Sequence, residues 1–148
     1  MKFLNRHFLN VISQLYATCY YALVDIKRNR IKLAKAGHHH PLFWKAMKRD
    51  FIDIACQGTG LGLVKKAEFN EVAYPLERGD KILFFTDGII EQKNQKGEMY
   101  SEARLRNIFI NLIIRNGDDI INKIYSDMKS FAGIRTIDDD ITLLLLEF

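Results

Sequence analysis

The stretch from Phe84 to Tyr100, FFTDGIIEQKNQKGEMY, decides how this chain is read. An apolar run of strand character, Lys81-Ile82-Leu83-Phe84-Phe85, ends on Thr86-Asp87-Gly88, and the apolar pair Ile89-Ile90 follows at once. The same arrangement returns near the C-terminus, where Asp138-Asp139-Asp140 stands directly before Ile141-Thr142-Leu143-Leu144-Leu145-Leu146. An aspartate at the end of a buried strand is held by stiff backbone, which suits a ligand that must be placed accurately. The glycine after it lets the chain turn sharply and lets another group come close. Two buried strands that each end on an aspartate point to one shared site. Converging carboxylates repel one another unless a cation sits between them, and such oxygen-rich sites favour hard ions such as Mg²⁺ or Mn²⁺. A pair of these ions can supply a hydroxide and clamp a phosphoryl group. Asp-Gly is also a common turn pair, and a run of three aspartates also suits a solvated loop, so composition leaves both readings open.

Outward from these strands, the order of elements sets the fold class. Phe3, Leu4, Phe8, Val11, Ile12 and Leu15 recur at helical spacing, which predicts a helix over Lys2 to Leu15 with Asn5, Arg6, Asn10 and Gln14 facing elsewhere. Tyr16 to Ile26 is β-rich, and Lys27-Arg28-Asn29-Arg30 forms a tip before the alternating Ile31 to Ala36. Pro41 to Ala46 and Phe51 to Ala55 read as a second hairpin, turning at Lys48-Arg49-Asp50. Gln57-Gly58-Thr59-Gly60-Leu61-Gly62 is rich in glycine but lacks the lysine and following helix of a phosphate-binding loop, so a tight irregular connection is expected. Phe69 to Leu76 is a strand and Glu77 to Asp80 the turn before the central strand. Ser101 with Glu102 opens an amphipathic helix to about Arg115, Asn116-Gly117 breaks it, and a second helix runs from Asp118 to about Ser130. The closing strand is Ile141 to Glu147. Hairpins imply antiparallel sheet, and amphipathic helices must cover some of its faces, so the class is α+β.

Bulk properties exclude several classes. The chain has 148 residues, 48% hydrophobic and 27% charged, as an ordinary globular domain does. No run approaches the roughly 20 apolar residues that cross a bilayer. The N-terminal segment fails as a signal peptide because Arg6, His7, Asn10 and Gln14 interrupt it, so a cytoplasmic location is expected. Cys19 and Cys56 read as small buried residues in a reducing compartment. The net charge of +4 is spread over short groups, Lys27 to Arg30, Lys45 to Arg49 and Lys65-Lys66, expected in solvated turns. No basic helix, stacking motif or finger spacing accompanies them, so no nucleic-acid partner is expected. In His38-His39-His40, strand neighbours point to opposite faces, so the three cannot converge on one metal. Trp44 and the phenylalanines are core candidates.

Thr86-Asp87-Gly88-Ile89-Ile90-Glu91, with Asn94, Gly97-Glu98-Met99-Tyr100 and Arg104-Leu105, resembles the TDG region of the SpoIIE-like branch of metal-dependent (PPM-type, or type 2C) serine/threonine phosphatases. Ala34 to His38 with Pro41-Leu42 resembles that branch's alanine-glycine-histidine hairpin, and Gly58 to Leu63 its glycine-leucine-glycine loop. Leu76 to Asp80 resembles the turn before its central strand, and Asp139-Asp140-Ile141-Thr142 its closing motif. The resemblance spans essentially the whole chain. It implies an antiparallel β-sandwich flanked by helices, with Asp87 and Asp139 as ligands of catalytic Mn²⁺ or Mg²⁺, and Gly88 and Asp140 in support. No catalytic residue separate from the metal ligands is implied. The implied reaction is attack of a metal-activated water on phosphoserine or phosphothreonine. The implied substrate is a phosphorylated regulatory protein of the anti-sigma-factor antagonist type.

The branch's first aspartate-bearing, glycine-rich motif has no counterpart in residues 1–148. The expectation is therefore a single but partial domain, 1–148, without the first strands, first helix and one metal ligand. A complete two-ion site is not expected from these residues alone, so a fragment or a non-catalytic interaction module stands as the alternative. Sheet edges left open in this way would favour partner contacts or self-association into a homo-oligomer.

Overall fold

The structure is a computed structural model that describes residues 1–11 and 15–148. The chain divides into two compact units, 1–40 with 53–78 and 41–52 with 79–148.

In the first unit, helix α1 (Lys2–Val11) precedes an antiparallel sheet of β1 (Cys19–Asp25), β2 (Arg30–Ala36) and β5 (Val72–Pro75), ordered β1-β2-β5. The predicted tip is a single 3-10 turn, Ile26–Arg28, in which Asp25 accepts from the Arg28 amide and Asn29 takes a left-handed conformation. Ile31, Leu33, Ala34 and Ala36 of β2 are buried, whereas Tyr21, Leu23 and Val24 of β1 are exposed. The alternation of Ile31 to Ala36 suggests one buried and one wet face, but only Arg30 to Leu33 follow it: Ala34 and Ala36 are buried on the face opposite Ile31 and Leu33, and β1 leaves most of its apolar side chains exposed. The glycine-rich loop is the tight connection expected. Gly58 lies so close to the Lys35 carbonyl that a side chain there would collide with backbone, and its own carbonyl accepts from the Gly37 amide at 2.7 Å.

Helix α1 leaves Arg6 and Asn10 exposed as expected but departs from the expected faces at its first turn. Phe3 and Leu4 are exposed, and Asn5, expected to face solvent, is 2% exposed. Its Nδ2 donates to the Val64 carbonyl at 2.9 Å and its Oδ1 accepts from the Gly62 amide at 2.9 Å. The burial of this amide is therefore satisfied at both ends, as a buried polar group requires. The predicted helical positions Ile12 and Gln14 lie outside the described residues.

The second unit carries the aspartates. Its sheet is ordered β4-β3-β6-β7, all antiparallel, from β3 (Leu42–Lys45), β4 (Asp50–Ile52), β6 (Lys81–Phe85) and β7 (Leu143–Glu147). The expected central strand is thus β6, and Ile82, Leu83 and Phe85 on it are buried. The short α2 (Asp87–Ile90) follows it, then α3 (Glu102–Leu112) and α4 (Gly117–Ala132). Ser101 Oγ caps α3 and Asn116 Oδ1 caps α4, each accepting an amide of the first turn. Leu105, Phe109, Leu112, Ile120, Ile124 and Met128 join Leu42, Trp44, Phe51, Leu83 and Phe85 in one core cluster. Lys45, grouped in the sequence with solvated turn cations, is instead a strand residue, 5% exposed, whose ammonium meets Asp80 at 2.5 Å. Elements are shorter than predicted at β5, β7 and the end of α3.

Candidate metal-binding site

The β6–β7 register places the two aspartate segments side by side. Phe85 pairs with Leu143 at the end of the ladder, and the pairing continues as the Thr86 amide donates to the Thr142 carbonyl at 3.1 Å. The Thr86 hydroxyl then makes two bonds across the gap. It accepts from the Thr142 amide at 2.9 Å and donates to the Asp140 carbonyl at 3.2 Å. Thr86 occupies the N-cap position of α2, yet its side chain makes no capping bond there. Its hydroxyl is committed to the neighbouring strand.

Asp87 begins α2 and is exposed, and Asp138, Asp139 and Asp140 are exposed as well. Gly88, by contrast, is buried, and a Cβ built on it would lie 3.0 Å from the Asp140 carbonyl carbon and 3.4 Å from the Asp139 oxygen. Its backbone does not have a positive φ. The glycine is therefore required here for close approach and not for a sharp turn, which corrects half of the sequence argument. The Asp139 carboxylate accepts from the Asp140 amide through Oδ1 at 2.7 Å, leaving its second oxygen for a ligand.

Behind this segment lies a cavity of about 320 Å³ whose lining includes Gly88, Gln92, Arg135, Asp138 and Asp139. Arg135 pairs with Asp138 at 3.3 Å, and neither Asp87 nor Asp139 takes part in an ion pair among the described residues. Two exposed carboxylates without a cationic partner, on adjoining strand ends, suit a hard divalent ion in donor chemistry. They form only part of a donor set, since no group of three or more His, Cys, Asp or Glu among the described residues is placed to hold a metal.

Gln92 was missed by sequence reasoning. It follows α2 and is 1% exposed. Its Nε2 donates to the carbonyls of Lys93 and Thr136, at 3.1 and 3.2 Å, and its Oε1 accepts from the Asp138 amide at 3.1 Å. A glutamine amid polar neighbours carries no periodic signal, and its partners Thr136 and Asp138 lie more than 40 residues downstream.

All 148 residues match the family described as stage II sporulation protein E (SpoIIE), and the chain belongs to it. It is 24% identical over 137 residues to the phosphoserine phosphatase RsbU of Bacillus subtilis, covering 93% of this chain and 40% of that protein. The SiaA-PP2C domain of Pseudomonas aeruginosa superposes with a TM-score of 0.82 at 16% identity, over 97% of this chain and 57% of that one. The manganese-presoaked phosphatase domain of SpoIIE from Bacillus subtilis gives 0.71 at 14% identity, over 96% and 62%. These structures establish the PPM-type α+β fold, and the chain spans about two fifths to three fifths of each relative's length. No helix among the described residues is long and apolar enough to cross a membrane.

Proposed function

We propose that this chain supplies part of the site of a metal-dependent serine/threonine phosphatase, with Asp87 and Asp139 as ligands of Mn²⁺ or Mg²⁺ and Gly88 and Asp140 supporting them. The observation that carries this reading is the close approach of Gly88 to the Asp139–Asp140 backbone, which sets the two aspartate segments side by side at the end of β6 and β7. Membership of the SpoIIE family and likeness to a phosphoserine phosphatase support it. When bound, the ion supplies an activated water for direct attack on a phosphoserine or phosphothreonine, without a phosphoenzyme. The chain's own residues hold and orient: Thr86 fixes the strand ends, Gly88 leaves room, and the Asp140 amide turns the Asp139 carboxylate.

The proposed substrate is a phosphorylated regulatory protein of the anti-sigma-factor antagonist type, met in the cytoplasm. Residues 1–148 are proposed as one part of a single phosphatase domain, with a further carboxylate coming from another segment or from a second copy. A non-catalytic interaction module is the second reading, favoured by the presence of only two candidate ligands among the described residues. Mn²⁺-dependent hydrolysis of p-nitrophenyl phosphate by the chain, with Asp139→Asn as control, separates the two. Activity abolished in the control supports the phosphatase. A folded chain without activity leaves either a fragment that lacks its further carboxylate or the interaction module.

A further inference from the structure

We propose that Gln92 is a positioning residue for the candidate site, acting through the segment that carries Asp139; this rests on the reading of Asp139 as a metal ligand. The argument starts from how that segment is held. It has no regular secondary structure between α4 and β7, and its residues from Gly133 to Asp140 are exposed. An exposed irregular segment would ordinarily move too freely to place a carboxylate. Here it is fastened on both sides of Asp139. After Asp139, the Thr86 hydroxyl holds the Asp140 carbonyl and the Thr142 amide. Before Asp139, the Gln92 amide holds the Thr136 carbonyl and the Asp138 amide.

Gln92 is suited to this as few side chains are. An amide both donates and accepts, so one planar group can grip a carbonyl and an N–H of the same segment. Its third bond, to the Lys93 carbonyl, ties the group to its own backbone. The Gln92 carbonyl in turn accepts from the Tyr100 amide at 2.8 Å, so the anchor is itself fixed. Gln92 lies just beyond α2, the helix that Asp87 opens. The two candidate ligands are therefore indexed to one another through one buried side chain. Such outer partners of a metal ligand set its orientation, and their loss commonly weakens metal binding about 10- to 100-fold.

The test uses the full chain and Mn²⁺ alone, with affinity read by calorimetry and the Asp138 amide followed by hydrogen exchange. Gln92→Met keeps the length of the side chain and removes all three bonds. It is expected to weaken Mn²⁺ binding about tenfold and to speed Asp138 exchange by a similar factor. Ile124→Val, a core change in α4, supplies the control for general loosening and is expected to leave both unchanged. Gln92→Asn keeps the amide but is one methylene short, and is expected to weaken binding as Gln92→Met does. Mn²⁺ affinity within twofold of wild type in either Gln92 variant overturns the inference, as does an equal loss in Ile124→Val. Failure of the underlying reading looks different. Wild type and Asp139→Asn would then be alike in showing no Mn²⁺ binding, and the positioning inference would go with it.

Discussion

Gly88 packs its α-carbon against the Asp140 carbonyl, on the backbone that carries Asp139. The contact is with main chain, which cannot swing aside as a flexible side chain can, and the same carbonyl already accepts from the Thr86 hydroxyl. Gly88→Ala must therefore displace the Asp139–Asp140 segment. Overpacking of this kind costs about 1 to 3 kcal/mol. Urea denaturation of Gly88→Ala is expected to show that loss, and Mn²⁺ titration a weaker or absent site. A variant that binds Mn²⁺ as wild type does would show that the two segments adjust independently.

What could be read in advance was what local chemistry encodes. The hairpin from Cys19 to Ala36, the cap at Ser101 and the break at Asn116-Gly117 depend on local sequence, whereas the capping role of Asn116 itself was not read. The strand ends before Asp87 and after Asp140 were legible because apolar runs stop abruptly there. The other unread features are long-range polar pairings. Lys45 and Asp80 meet across 35 positions, Asn5 and Gly62 across 57, and Gln92 and Asp138 across 46. Periodicity assigns such residues to the wet face, because it registers apolar side chains and not a partner elsewhere that makes a buried polar group tolerable.

The Lys45–Asp80 pair gives a stability prediction. Both groups are nearly inaccessible, at 5% and 1%, and Asp80 also accepts the Ala46 amide at 3.0 Å. Breaking a buried ion pair by removing one member costs about 3 to 5 kcal/mol. Asp80→Ala is expected to lose that much in urea denaturation. Lys45→Met combined with Asp80→Leu is expected to recover part of it, because both buried charges are then replaced by apolar groups. A double variant no better than the single one would mean that the Ala46 bond, and not the ion pair, carries the effect.

Acid stability should depend on Asp127. Arg104 reaches both of its oxygens, at 3.0 and 3.1 Å, and the Tyr100 hydroxyl donates to it at 2.7 Å. The guanidinium bonds are the larger cause that holds the Asp127 carboxyl below the usual carboxylate range, and partial burial opposes them. A depressed folded-state value stabilises the protein above the unfolded value of about 3.9. That contribution disappears as pH falls from there through the folded value. Relative to Asp127→Asn, wild type is expected to be more stable by on the order of 1 kcal/mol at neutral pH. The difference should hold down to about pH 5 and shrink below about pH 4. A difference that is flat to pH 2 would show that the carboxylate's charge contributes nothing.

Asn5 offers the sharpest contrast between pattern and structure. By helical periodicity, Asn5→Leu ought to be nearly harmless, since it changes a residue expected to face solvent. In the fold it leaves the Gly62 amide and the Val64 carbonyl without their partner. Each unsatisfied buried group costs about 1 to 3 kcal/mol, against roughly 1.5 to 3 kcal/mol gained by burying leucine. The leucine is also branched where the amide was planar, so the gain is incomplete and a net loss is expected. The loop is where this should be read. Hydrogen exchange at Gly62 is expected to quicken in Asn5→Leu, while amides of β6, in the other unit, keep their protection. Unchanged protection at Gly62 would mean that the loop is held by the Ala17–Leu61 bridge alone.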